Sequence, residues 1–295
     1  MMCTAASTLD ALQRARWPRH GSKYCNRLYD ERQLLTLLVL KEQFAKSYRE
    51  FVIWLEISPP LQELLGLQRL PHYTTLHKFF LRTGNRRLER LLPLFRPEAG
   101  KVSLVLDSTG FGPTNASRYY FAVLGHREDG SLCEWKRQAV RRFIRQTVAV
   151  DLDSLLVLAM RVTLGPNNDF HELVPTLDKL RKRSWGIERV LGDKGYDTEE
   201  NRCYIHQVLK ARPVIPVRAG NRPGIRLSTR YRRIDERAFD ALAYRRRSLV
   251  ESVHSAIKRR HGSCLRERSM RTQSKQLVVR VLSYNARRVA VLQRR

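Results

Sequence analysis

Two short apolar runs, each closing on an aspartate, constrain this chain more than any other feature. Val102, Leu104, Val105 and Leu106 lead to Asp107, and Ile187, Val190 and Leu191 lead through Gly192 to Asp193. The first run is near-continuous rather than alternating, as a strand buried on both faces reads, and the second makes another short buried strand. Strands of that kind sit inside a sheet covered by helices, and α/β sheets bind ligands beyond the carboxyl ends of such strands. Each acid also has a plainer reading. Asp107 begins DST, a natural turn sequence, and Asp193 lies in a turn where Gly192 and Gly195 let the backbone bend tightly. Finding the arrangement twice weighs against two coincidental turns.

The residues between and after these runs complete an α/β order. Residues 117–150 are rich in Arg, with Asp129-Gly130 as a hairpin signal. Lys136, Arg137, Arg141, Arg142 and Arg145 then lead into TVAVDLDS, a basic ribbon entering a sheet. SLLVLAMRVTL resumes as the next strand, so Asp151 and Asp153 read as turn residues. Residues 165–169 form a loop, and Leu173, Leu177 and Leu180 mark a helix over 171–183. Asp197 or Thr198 caps the helix after Asp193. A strand over 213–217 and a basic loop with Gly220, Pro223 and Gly224 follow.

Residues 244–258, YRRRSLVESVHSAIK, read as one helix. At about 100° per residue, Tyr244, Arg247, Glu251 and Lys258 share an arc of roughly 60°. Leu249, Val250, Val253, Ala256 and Ile257 fall opposite and suit a core. Arg245 and Arg246 lie off the stripe and read as ordinary basic surface. Glu251 is the only carboxylate between Ala241 and Glu267. Taken alone, it suits a structural ion pair. The whole order is βββ-α-β-α-β-α, with acids after the first strand, after the fourth strand and on the last helix. That is the layout of a ribonuclease H-like α/β core, a mixed sheet flanked by helices, which brings the three acids to one edge. Three carboxylates there can hold two divalent ions for phosphodiester chemistry, and hard oxygen ligands favour Mg²⁺ or Mn²⁺.

The front of the chain reads as all-α. Residues 1–22 look like a loose polar arm. Residues 30–55 keep helical spacing through Leu34, Leu37, Leu38, Phe51 and Leu55, until Pro59 and Pro60 break it. A short helix over 61–67 ends near Gly66, and Pro71 closes it. Thr74 or Thr75 then caps a helix carrying Leu76, Phe79 and Phe80, with Arg82, Arg86, Arg87 and Arg90 behind. The set resembles a helix-turn-helix reader, with Thr74, Lys78 and Arg82 as its expected DNA contacts. The plainer alternative is a helical bundle with a basic face. His72 and His77 read as surface or packing residues. The composition break at residues 96–100 divides the chain into a helical DNA-binding domain, 1–98, and a catalytic domain, 101–295.

Charge supports a polyanionic partner. The chain holds 56 Lys or Arg against 28 Asp or Glu, a net +28, and such a surplus points to nucleic acid. From residue 241 onward the count is 15 basic against two acidic residues, so the densest charge surrounds Glu251. Five cysteines with no C-x-x-C indicate neither a disulfide framework nor a zinc module. No apolar run approaches the roughly 18 residues of a membrane span, and no export signal opens the chain. A soluble protein of a reducing cytoplasm, with no membrane partner, is expected.

Three motifs together resemble one family. Tyr244, two residues, Arg247, three residues, Glu251, six residues and Lys258 match a Y-R-E-K signature, beside DST at Asp107 and DKGYD at Asp193. The chain resembles a DDE transposase of a bacterial or archaeal insertion sequence, of the type of insertion-sequence families four and five. The resemblance covers residues 102–288, and the YTTLHKFF front is similar as well. It implies that Asp107, Asp193 and Glu251 are catalytic and bind two Mg²⁺ or Mn²⁺ ions. It further implies that Tyr244, Arg247 and Lys258 hold DNA phosphates. The substrates implied are double-stranded terminal inverted repeats and target DNA, bound by a homodimer in a prokaryotic cytoplasm, at the nucleoid. The 57 residues between Asp193 and Glu251 leave no room for the large β-rich insertion some members carry. A metal-dependent nuclease of the same fold without strand transfer, or a non-catalytic DNA-binding protein, remains the alternative.

Overall fold

The structure, a computed structural model, describes residues 1–21, 27–96, 100–113, 143–165, 168–181, 186–218 and 229–294. The Asp129-Gly130 hairpin, the ribbon residues Lys136, Arg137, Arg141 and Arg142, and the loop with Gly220, Pro223 and Gly224 lie outside the described residues. The chain forms two compact units. One comprises Met1–Pro97, Ala256–Gly262 and Ser274–Arg295, the other Glu98–Ser255 and Ser263–Gln273. The first border falls at the composition break. The tail departs from a simple two-domain division, because most of the last helix clusters with the front of the chain. Leu277, Val278, Val281 and Leu282 on that helix are almost wholly buried, so it needs a core to cover it.

The larger unit is built on a mixed sheet. Its elements are β1 (Val102–Pro113), β2 (Ile144–Asp151), β3 (Val157–Leu164), α7 (Phe170–Leu177), β4 (Ile187–Leu191), α8 (Glu199–Cys203) and β5 (Arg212–Val214). After these come α9 (Arg230–Arg237), α10 (Ala241–Arg245), α11 (Leu249–His261) and β6 (Cys264–Leu265). The strand order is β3-β2-β1-β4-β5, with β6 pairing the far end of β1. β2 runs antiparallel to both β1 and β3, while β4 runs parallel to β1 and β5 parallel to β4. A mixed sheet flanked by helices in this order is consistent with the ribonuclease H-like expectation. Val102, Leu104, Val105 and Leu106 are fully buried, as their near-continuous run requires. Asp151 does serve a turn: it accepts from the Ser154 hydroxyl (2.5 Å) and backbone N–H (3.4 Å) between β2 and β3.

The smaller unit begins with α1 (Met2–Arg14), α2 (Glu31–Gln43), α3 (Tyr48–Glu56), α4 (Pro59–Leu64), α5 (Tyr73–Arg82) and α6 (Asn85–Glu89). The expected loose arm is the helix α1, with Ala5, Ala11 and Leu12 buried. Its buried face uses Ala, Ser and Thr, small side chains that permit close packing but show no apolar stripe. The expected continuous helix over 30–55 is two helices. Ala45 takes a left-handed backbone, φ 50°, and Ser47 with Glu50 forms a reciprocal capping box that restarts the chain as α3. α5 starts at Tyr73 with His72 at the cap, so Thr74 and Thr75 are already helical. His72 Nδ1 lies 2.8 Å from the Thr74 hydroxyl.

The last helix, α12 (Met270–Leu292), closes this unit. The buried Lys275 ammonium donates to the Phe80 and Leu81 carbonyls at 2.6 and 2.8 Å. It thereby satisfies the open carbonyls at the end of α5, where a cation also suits the helix dipole. The end of α11 is held by a buried charge cluster. Lys41 and Arg280 flank Glu42 at 2.8 and 3.3 Å, and His261 Nδ1 donates to the Glu42 carbonyl at 2.8 Å. Among the described residues no helix is long and apolar enough to cross a membrane.

Candidate active site

Asp107 lies within β1, not at its end. Asp107, Ser108 and Thr109 face Val148, Thr147 and Gln146 of β2 as paired strand residues, which excludes the DST turn. On the other side, pairing with β4 stops at Val105 and Leu191. The parallel neighbour therefore ends two residues before Asp107, and the chain beyond β4 is free to bring in the second acid. That segment is a single 3₁₀ turn, Lys194–Tyr196, with Asp193 at its cap and the Asp193 carboxylate accepting from the Gly195 N–H at 2.9 Å.

Gly192 and Gly195 do not serve backbone handedness, since neither is among the glycines of positive φ. They serve space. A Cβ on Gly195 would stand 2.9 Å from Asp193 Oδ1, and one on Gly192 would stand 3.0 Å from the Tyr196 ring.

The expected single helix over 244–258 is interrupted. α10 ends at Arg245, a 3₁₀ turn covers Arg246–Ser248, and α11 starts at Leu249. A 3₁₀ turn advances about 120° per residue, so the narrow stripe computed at helical pitch does not carry through. Arg247 still reaches Glu251, donating at 2.9 Å. Tyr244 packs its ring 5.5 Å from Phe239. Arg246 has a definite role, donating to the Leu152 carbonyl (3.1 Å) and to Asp153 (2.7 Å) in the β2–β3 turn. Val250, Val253 and Ile257 are buried as their spacing requires. Lys258 stands about two turns beyond Glu251 on α11, and partial burial lowers its pKa.

The charges of these groups meet at Asp107. Burial raises its pKa; the Ser108 backbone N–H and the Arg247 cation pull it down, while Asp193 and Glu251 push it up, and the net direction is up. Carboxylates from the post-strand turn and the helix thus act on the strand acid Asp107, and Arg247 opposes them. His254, one turn past Glu251 and buried, places Nε2 3.6 Å from Asp107 Oδ2. Among the described residues no three His, Cys, Asp or Glu side chains are gathered into a metal-holding group. As described, Glu251 is drawn to Arg247 and Asp193 to the Gly195 N–H.

A second layer was not foreseen. Ser108 Oγ lies 2.8 Å from the Thr147 hydroxyl and 3.2 Å from the Tyr196 hydroxyl, and accepts from Arg145 at 3.4 Å. Arg145 also pairs with Asp169. Tyr196 is buried, and its pKa is raised well above the ordinary phenol range, mainly by burial. DST and DKGYD already contained Ser108 and Tyr196; nothing in the sequence marked Arg145, Thr147 or Asp169 as their partners.

The expected reader residues lie on α5. Leu76, Phe79 and Phe80 are buried, and Lys78 and Arg82 are exposed. Arg82 stacks over Phe79 (5.2 Å) and lies 4.0 Å from Glu31, which Arg87 approaches at 3.3 Å.

The larger unit is thus an α/β domain that carries one acid on a central strand, a second in the turn after that strand's parallel neighbour and a third on a late helix. Residues 98–286, more than half of the chain, match the family described as Transposase DDE domain, and the chain belongs to that family. Comparison with curated proteins finds none that matches.

Proposed function

We propose that the protein is a DNA transposase that binds the ends of a mobile element, cuts them by metal-assisted hydrolysis and joins the 3′-OH to target DNA. The observation that supports this reading is that Asp193 and Glu251 both act on Asp107, adding to the larger effect of its burial. The donor set fits a hard divalent ion. Burial is the main reason Asp107 holds its proton more tightly, with Asp193 and Glu251 adding to it; a divalent cation would take the place of that proton among the three carboxylates. Asp107, Asp193 and Glu251 would hold two such ions, which supply activation of the attacking oxygen and stabilisation of the leaving one.

The chain's own groups do the rest. Arg247 holds Glu251 until a phosphate offers a competing acceptor, and its planar fork suits both. Tyr244 and Lys258 supply a phenol and a partly desolvated ammonium for neighbouring phosphates. Burial strengthens the field of such an ammonium. In the smaller unit, α3, α4 and α5 serve as the helix-turn-helix, with Thr74, Lys78 and Arg82 toward DNA. The buried cap from Lys275 keeps α5 rigid from behind. Two element ends must be joined, so a homodimer on DNA is the working assembly, in a prokaryotic cytoplasm.

The test uses labelled end DNA with Mg²⁺. Asp107→Asn, Asp193→Asn and Glu251→Gln should each abolish nicking and joining while gel shifts stay at wild-type level. Wild-type protein that nicks but never joins pre-cleaved ends would make it a nuclease instead. Joining by Asp107→Asn at the normal rate would overturn the assignment of the acids.

A further inference from the structure

We infer that Tyr196 is a positioning residue: its hydroxyl, bound to Ser108, ties the Asp107 strand to the Asp193 turn and so sets the separation of the two acids. The inference rests on the reading of Asp107 and Asp193 as metal-holding acids and adds how they are kept in place. The two aspartates come from segments without direct strand pairing, since β4 stops pairing with β1 at Leu191. Something other than the sheet ladder must set the distance between them. Ser108 immediately follows Asp107, and Tyr196 closes the turn that Asp193 opens, donating its backbone N–H to the Asp193 carbonyl at 3.1 Å. One hydroxyl pair of 3.2 Å therefore spans the two segments.

The bond is buttressed on every side. Ser108 and Thr147 are directly opposed across β1 and β2, and Arg145 lies two residues along the same strand face. Arg145 can only donate. Ser108 has one proton for two hydroxyl neighbours, so at least one of Tyr196 and Thr147 must donate to it. The Tyr196 ring leans on the backbone before Asp193, where a Cβ on Gly192 would stand 3.0 Å from it. A buried phenol of this kind, hydrogen-bonded and close-packed, cannot shift without moving the turn. Side chains alternate across a strand, so Asp107 faces α11 and His254 while Ser108 faces the tie. The acid is thus held from its back, leaving its carboxylate for a ligand.

The test is Mn²⁺ titration into DNA-free full-length protein, with the free-ion electron paramagnetic resonance signal as readout. Urea unfolding runs in parallel. Loss of an outer partner of a metal ligand weakens affinity by about tenfold, so Tyr196→Phe and Ser108→Ala should each raise the Mn²⁺ Kd by about that factor. The double variant should bind no more weakly than Ser108→Ala alone, because that substitution already removes the bond to Tyr196. A purely structural tyrosine would lower the urea midpoint and leave the Kd unmoved. Kd values within twofold of wild type, or single effects that multiply, would overturn the tie. Asp107→Asn separates the two layers of argument: if it binds Mn²⁺ like wild type, the metal reading falls and the tie with it. If Tyr196→Phe does not fold, Ser108→Ala carries the same test, and normal Mn²⁺ binding by it overturns the tie.

Discussion

Acid should loosen the smaller unit through His261, and the effect can be worked out from the structure. His261 ends α11, the helix that carries Glu251 and Lys258, and is almost wholly buried. Its Nδ1 proton goes to the Glu42 carbonyl, while Nε2 has no partner among the described residues. Burial lowers its pKa first of all; Glu42 opposes, Arg280 and Lys41 reinforce, and the result is about 4. An unfolded histidine titrates near 6.5. The unfolded chain therefore takes up the proton first as pH falls, and the folded state loses stability between about pH 6.5 and pH 4. Linkage puts the loss between pH 7 and pH 5 at about 2 kcal/mol.

His261→Asn keeps a donor toward the Glu42 carbonyl and removes the titration. Urea unfolding followed by tryptophan fluorescence at pH 7 and pH 5 should show wild type losing about 2 kcal/mol more than the variant. Groups common to both proteins cancel in that difference. Equal losses, or a His261 resonance that titrates near 6.5 in the folded protein, would refute the argument.

Other outcomes follow from single contacts. Glu42→Ala leaves Lys41 and Arg280 buried without their anion, and should cost about 3–5 kcal/mol by chemical denaturation; replacing all three by Met should recover much of it. Gly195→Ala puts a methyl against the Asp193 carboxylate, so cleavage should fall by about tenfold or more while the circular dichroism spectrum and DNA binding stay normal. Arg247→Ala removes the cation that lowers the Asp107 pKa, so the acid limb of the pH–cleavage profile should move to higher pH, an effect absent from Arg245→Ala. Lys78→Ala and Arg82→Ala should weaken DNA binding and each reduce the salt slope of log K by about one.

Much of the catalytic unit was legible because strong local signals coincide with it. A near-continuous apolar run such as that over 102–106 has few other homes than a buried strand, and Thr198 does cap α8, accepting from the Asn201 N–H. The front of the chain was harder. α1 packs with Ala, Ser and Thr, which carry no hydrophobic period, and the break at Ala45 rests on a left-handed residue that composition does not announce. The tail was misread for a different reason. Periodicity reports that α12 has faces to bury but not which core receives them.

The sequence by itself determined the strand-forming runs and the succession of three strands, a helix and a parallel strand, and it singled out the three acids with Arg247 as candidates, all matters of residue type and spacing along one strand or helix. Only the tertiary structure decided that Asp107 lies mid-strand where its parallel neighbour has ended. It alone set the glycines around Asp193 to making room, and joined Ser108, Arg145, Thr147 and Tyr196 behind the acids. Those features depend on where separate segments stop pairing and how closely they approach. Such distances are set by the packing of the whole sheet and are written in no single stretch of the chain.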